Sequence, residues 1–242
     1  MITEESVSEI SEKYLNILER VFNAAIKSKR NPTDIRVIAV SKTHPAVSLE
    51  AAYNAGIRFF GENYVREMAD KYDILVHKGL VDIEWHFIGH LQSNKVKYLS
   101  SFVNYIHSVD SLKLANEISS RAKANDRNIN ILVQVNTSGE PNKSGCEPDD
   151  LSEIISEIIL LDNINIKGLM TIGTFTDDEK IQRKEFSTLR TLLENVNSEL
   201  KLNLSELSMG MTGDFETAID EGATMIRIGT AIFGSRNYRN FG

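Results

Sequence analysis

The sequence contains one cysteine, Cys146, in 242 residues. No intrachain disulfide can form, and such usage fits a reducing compartment. The thiol follows Lys143, Ser144 and Gly145 in a loop that could leave it accessible. No base stands at a spacing that would make it a nucleophile, so it reads as incidental. Positive charge is also in deficit: the net charge is −7 and the pI near 5.4. That balance argues against nucleic acid or an anionic membrane as the main partner. No apolar run approaches the length of a membrane span. The opening "MITEESVSEI" is acidic and lacks a hydrophobic signal core, so a cytoplasmic location is expected. There is no Pro/Gly/Ser linker, charge block or short repeat, which leaves one domain over 1–242. His44, His90 and His107 show no paired spacing that would suggest a metal site.

Hydrophobic residues make up 41% of the chain, enough for a substantial core. Val7, Ile10, Tyr14, Ile17, Leu18, Val21 and Ala25 recur at three- and four-residue steps and predict an N-terminal helix over about 4–29. Short apolar runs then alternate with helical patterns. Strands are expected near Val37–Val40, Phe59–Phe60, Trp85–Ile88, Tyr105–Ile106, Ile131–Val135, Ile166–Met170, Glu206–Met209 and Met225–Ile228. Helices are expected at Val47–Asn54, Leu112–Ala124, Leu151–Leu160, Phe186–Leu200 and Asp214–Glu221. The alternation predicts an α/β fold, a (β/α)₈ TIM barrel over about 35–234. A doubly wound open sheet is the alternative, but its glycine-rich first turn is missing: the first strand runs into "SKTHP".

In a barrel, functional groups gather at the carboxyl ends of the strands. Lys42 stands at the first such end, where an ammonium is a solvated terminus, a salt-bridge partner or an amine held for a carbonyl. The ends of strands seven and eight, "MGMTGDF" and "RIGTAIFG", supply Ser208, Gly210, Thr212, Gly213, Gly229 and Thr230, donors and glycines suited to an oxyanion. Arg227 lies inside an apolar strand, where an unpaired guanidinium is costly. It must meet an acid, for which Glu216 and Asp220 are candidates, or face inward to a ligand. A strand-one lysine, a strand-eight arginine and a phosphate cradle beside it suit pyridoxal phosphate, with Arg227 at the ring nitrogen. A Schiff-base aldolase would explain Lys42 and the cradle but not Arg227. His86 either points toward the cofactor or packs in the core. Lys143 and Tyr64 default to a solvated loop lysine and to packing at a helix start, and His77 to the surface.

The ordered blocks "AVSKTHP", "FGENYVRE", "WHFIGHLQSNK", "HSVDS", "GLMTIG" and "RIGTAIFG", spread over Ile35 to Gly234, closely resemble the YggS/PROSC family of pyridoxal phosphate homeostasis proteins. One departure is Thr212-Gly213, where many relatives carry serine and a non-glycine residue. The resemblance implies a barrel like the N-terminal domain of alanine racemase, with pyridoxal 5′-phosphate bound as an internal aldimine on Lys42. It further implies Arg227 at the ring nitrogen, Ser208, Gly229 and Thr230 at the phosphate, and Asn63 and Met209 lining the cofactor. Its function would be intracellular cofactor homeostasis without substantial turnover, with pyridoxal phosphate-dependent apoenzymes as recipients. The racemase pattern takes its second base from a C-terminal domain of a dimer partner. This chain ends eight residues after Gly234, so a monomer without that base is expected, and a racemase is the alternative.

Overall fold

The structure, a computed structural model, describes residues 3–140 and 143–234. Residues 1–2 and 235–242, and Pro141 and Asn142 of the "EPNKSG" stretch, lie outside the described residues. Eight parallel strands close into a barrel in sequence order: β1 (Arg36–Val40), β2 (Phe59–Glu62), β3 (Glu84–Phe87), β4 (Tyr105–Val109), β5 (Ile129–Gln134), β6 (Ile164–Met170), β7 (Glu206–Met211) and β8 (Met225–Ile228). The last pairs with the first, Ile38 opposite Arg227 and Ala39 opposite Ile228. The predicted barrel is the observed one.

Eight helices complete the fold: α1 (Glu4–Lys27), α2 (Ala46–Asn54), α3 (Val65–His77), α4 (Leu112–Ala124), α5 (Leu151–Ile158), α6 (Glu179–Leu200), α7 (Phe215–Asp220) and α8 (Thr230–Phe233). Helix α1 begins with a capping box, in which Thr3 and Ser6 bond each other's side chain and backbone. Its apolar face (Ile17, Val21, Ala24, Ala25) lies on α2, α7 and α8, covering the barrel beside the very short α8. Between β3 and β4 only a 3₁₀ segment, Ser93–Tyr98, replaces the usual helix. Helix α6 starts seven residues before its apolar periodicity does. Its first turns are polar, and Asp178 caps them by accepting from the Lys180 N–H at 2.9 Å.

Two apolar clusters form the core. The larger lies between the barrel's outer face and the helices; the smaller, inside the barrel, comprises Ile38, Tyr105, Leu132, Met170 and Met225. Successive strand residues face opposite sides, so above this inner layer stand His86, His107, Ser208 and Arg227, all buried. A β-bulge interrupts the pairing of β7 with β8 between Ser208 and Met211. Gly210 within it has φ +90°, and a Cβ there would fall 2.6 Å from the Ala218 Cβ. The bulge turns the end of β7 toward the barrel mouth. Cys146 differs from expectation: an isolated bridge pairs its backbone with Val135, and the residue is buried. Burial pushes its thiol up to about 12, which makes it inert.

Candidate functional site at the carboxyl end of the barrel

A cavity of about 350 Å³ opens at the carboxyl ends of the strands, a size suited to a small ligand. The closing seam of the barrel builds it. Val40 and Lys42 arrive from β1, and Arg227, Gly229 and Thr230 from the adjacent β8. Gly229 approaches β1 closely, since a Cβ there would lie 3.3 Å from the Val40 carbonyl oxygen. Met211, Thr212, Gly213 and Asp214 line the same cavity beyond the β7 bulge, and Asn63 enters from the end of β2. The Asp214 carboxylate accepts from the Met211 N–H at 2.5 Å and fastens this turn. Burial raises its pKa.

Asn63 is held by a contact that only glycine allows. A Cβ on Gly89, past the end of β3, would fall 2.2 Å from the Asn63 carbonyl oxygen. The Asn63 side-chain oxygen is buried and has no hydrogen-bond partner among the described residues. A buried orphan acceptor is uncommon, and this one belongs to a residue that lines the cavity.

Arg227 is completely interior. Glu216 and Asp220, the acids considered for it, are engaged elsewhere: Glu216 by Arg20 at 2.5 Å and Asp220 by Arg183 at 2.6 Å, both on the outer face. Arg227 forms no ion pair among the described residues. Its Nη1 donates to Ser208 Oγ at 2.7 Å and its Nη2 to the Thr171 carbonyl at 2.8 Å. Burial lowers its pKa to about 10, so it stays a cation at neutral pH. Two of a guanidinium's five N–H groups are thus accounted for, on a residue that also lines the cavity.

Behind Arg227 a polar chain crosses the barrel, and the proton positions follow from its ends. Arginine only donates, so Ser208 Oγ accepts. The arrangement satisfying every group then has the Ser208 hydroxyl donate to His107 Nδ1 at 2.9 Å. His107 Nε2–H donates to His86 Nδ1, also at 2.9 Å. His86 Nε2 lies 3.0 Å from Glu84 Oε1, close but poorly aligned. Both rings are neutral, because burial lowers His86 and drives His107 well below the usual imidazole value.

Two expected cofactor contacts therefore need correction. The Ser208 side chain does not line the cavity; its hydroxyl is engaged between Arg227 and His107 and is not available to a phosphate. Met209, its strand neighbour, must face the opposite side and sits in the outer core. Lys42, Asn63, Arg227, Gly229 and Thr230 do come together in one cavity. Lys143 does not join them: it pairs with Glu140 at 2.7 Å. Tyr64 lies exposed on a neighbouring groove with Arg66, His90 and Lys95. Local sequence patterns give His107 and Asp214 no role in this site. His86 and His107 were detectable as polar residues at inward-facing positions of adjacent strands.

Residues 22–237 match the family described as "Alanine racemase, N-terminal domain". A pyridoxal phosphate homeostasis protein of Aquifex aeolicus is 42% identical over 227 residues, covering 94% of this chain and 98% of the relative. The chain belongs to the pyridoxal phosphate homeostasis protein family. Among solved structures, PipY of Synechococcus elongatus PCC7942, described as having PLP bound, superposes with a TM-score of 0.79 at 38% identity, covering 90% of this chain and 100% of that one. Alanine racemase from Corynebacterium glutamicum shares the fold, with a TM-score of 0.70 at 13% identity over 98% of this chain and 64% of its own. No helix among the described residues is long and apolar enough to cross a membrane.

The neutral histidines generate a pH prediction. A base whose folded pKa is depressed binds fewer protons folded than unfolded, so stability falls as pH drops below its unfolded value near 6.5. Keeping one histidine neutral at pH 5 costs about 2 kcal/mol. Glu62, raised to about 7 chiefly by burial, acts in the opposite sense over the same window. The comparison is therefore made against His107→Asn. Urea unfolding should show the wild type losing more stability than this variant between pH 7 and 5; parallel curves would contradict a buried neutral His107.

Proposed function

We propose that this chain, as a single barrel domain, binds pyridoxal 5′-phosphate at the mouth of the barrel and serves its homeostasis in the cytoplasm, without substantial turnover of amino acids. The observation that carries the reading is the convergence of Lys42, Arg227, Gly229 and Thr230 in one cavity at the seam between β1 and β8. Family membership and the PLP-bound PipY support it. When bound, the cofactor supplies an aldehyde that condenses with a primary amine and a pyridine ring that draws electrons from it.

The residues present suit that group. Lys42 is the amine for the aldehyde. Arg227, a cation that can only donate, would stand at the ring nitrogen and keep a proton off it, which would weaken the ring as an electron sink. Gly229 and Thr230, with the turn Thr212–Gly213, offer neutral donors to the phosphate. Asn63 lines the same cavity from the end of β2. Racemisation needs proton removal on one face of the substrate carbon and delivery on the other. Among the described residues the cavity lining contains no tyrosine or histidine, and its carboxylates are Asp177, exposed on a loop, and Asp214, tied to the Met211 N–H. Lys42 is left as the one well-placed base. A store that hands the cofactor to apoenzymes fits this site better than a racemase, and the reading includes a monomer.

Borohydride treatment of the cofactor-loaded protein followed by peptide mapping should place the pyridoxyl label on Lys42, and a label confined to Lys95 or Lys143 would refute the assignment. The same preparation should exchange the Cα proton of alanine or serine with deuterated solvent no faster than free pyridoxal phosphate does. Rapid exchange would establish the enzyme reading instead.

The phosphate cradle has its own test. Charge-assisted hydrogen bonds are worth about 1.5–3 kcal/mol each, and unphosphorylated pyridoxal forfeits them all. Its affinity should be lower by at least about a hundredfold. Thr230→Asp sets a carboxylate against the phosphate and should weaken pyridoxal phosphate far more than pyridoxal. Equal weakening of both would place the phosphate elsewhere.

A further inference from the structure

Beneath Lys42 lies a buried charged cluster that touches no part of the cavity. Lys71, on α3, is buried. Its Nζ donates to Glu62 Oε1 at 2.6 Å, to Glu67 Oε1 at 2.7 Å and to the Ser41 carbonyl oxygen at 2.8 Å. The Ser41 hydroxyl donates to the same Glu62 oxygen at 2.7 Å. On the other side of Lys42, the Thr43 N–H donates to Glu67 Oε1 at 2.6 Å. The two peptide groups flanking Lys42 are thus fastened to one set of three side chains, all from β2 and the start of α3.

Thr43 shows why fastening is needed. Its φ is +68°, a left-handed conformation that a β-branched residue adopts only under constraint. Left to itself the segment would relax and carry Lys42 with it. The Glu67 bond to the Thr43 N–H opposes that relaxation, and Lys71 holds Glu67 in place through the i, i+4 spacing of α3. Burial of the cluster strengthens each bond, and Ser41 itself is completely buried.

We infer that Glu62, Glu67 and Lys71 are positioning residues for Lys42: they fix the backbone on both sides of it so that its amine meets the aldehyde of the bound cofactor. The inference rests on the reading of Lys42 given above. Glu67 is the group to alter, because its removal leaves the Glu62–Lys71 pair intact, whereas loss of either member of that pair strands a buried charge.

Equilibrium dialysis of pyridoxal phosphate against wild type, Glu67→Ala, Lys42→Ala and the double variant tests it as a cycle. Glu67→Ala should weaken binding about tenfold in the wild-type background and by no more than about twofold when Lys42 is already alanine. Glu67→Gln keeps an oxygen for the Thr43 N–H and should recover most of the loss. Equal losses in both backgrounds, no loss in either, or a glutamine variant no better than alanine would overturn the inference. Lys42→Ala binding as tightly as wild type would instead refute the role of Lys42, so the two failures are separable.

Discussion

A guanidinium held inside a barrel without an ion-pair partner among the described residues is the constraint on which the rest of this site depends. Taking an ionised group out of water is expensive, and the cost is tolerated only where hydrogen bonds surround the charge. Arg227 meets a hydroxyl and a carbonyl, and burial lowers its pKa only to about 10. It remains a donor in every direction. With Glu84, an acceptor, at the other end of the polar chain, that property orients the Ser208 hydroxyl toward His107 and puts each histidine's proton on Nε2. The same property bears on the proposed chemistry at the cavity. A ring nitrogen placed opposite this residue would accept a hydrogen bond and gain no proton, which would disfavour carbanion chemistry and suit the proposed role of a protein that keeps its ligand unchanged.

Closure of the barrel accounts for the remaining geometry. Parallel strands paired first to last bring the end of β1 beside the end of β8. Lys42 and the Gly229–Thr230 turn therefore meet in one cavity although they lie at opposite ends of the chain. The β7 bulge adds the third wall, and its turn depends on a glycine with positive φ at 210. On the opposite flank, Gly89 lets the loop after β3 reach the backbone of Asn63. These walls of the cavity are set by backbone geometry.

Much of this was legible in the sequence. Strands buried on both faces appear as continuous apolar runs, so Val37–Val40 and Met225–Ile228 could be placed closely and the barrel inferred from their alternation with helices. Lys42 and Arg227 stood out because a charge is conspicuous against such runs. Other features left weaker signals. The polar first turns of α6 and the 3₁₀ segment after β3 carry no apolar periodicity. Met209 and Ser208 were both assigned to the cofactor, although neighbours on a strand cannot share a face. Glu62, Glu67 and Lys71 look like ordinary charges in sequence, and only the packing of α3 against the end of β1 buries them together. The tertiary partner, absent from any local pattern, gives them their role.

The state of the ring nitrogen tests the account most directly. Pyridoxal phosphate labelled with nitrogen-15 in the ring, bound to the protein and observed by NMR at neutral pH, reports whether that nitrogen carries a proton. Arg227 as a donor predicts an unprotonated, hydrogen-bonded pyridine nitrogen, with the signal moving when Arg227 is changed to glutamate. A pyridinium signal in the wild type would contradict the claim that this buried cation faces the cofactor ring.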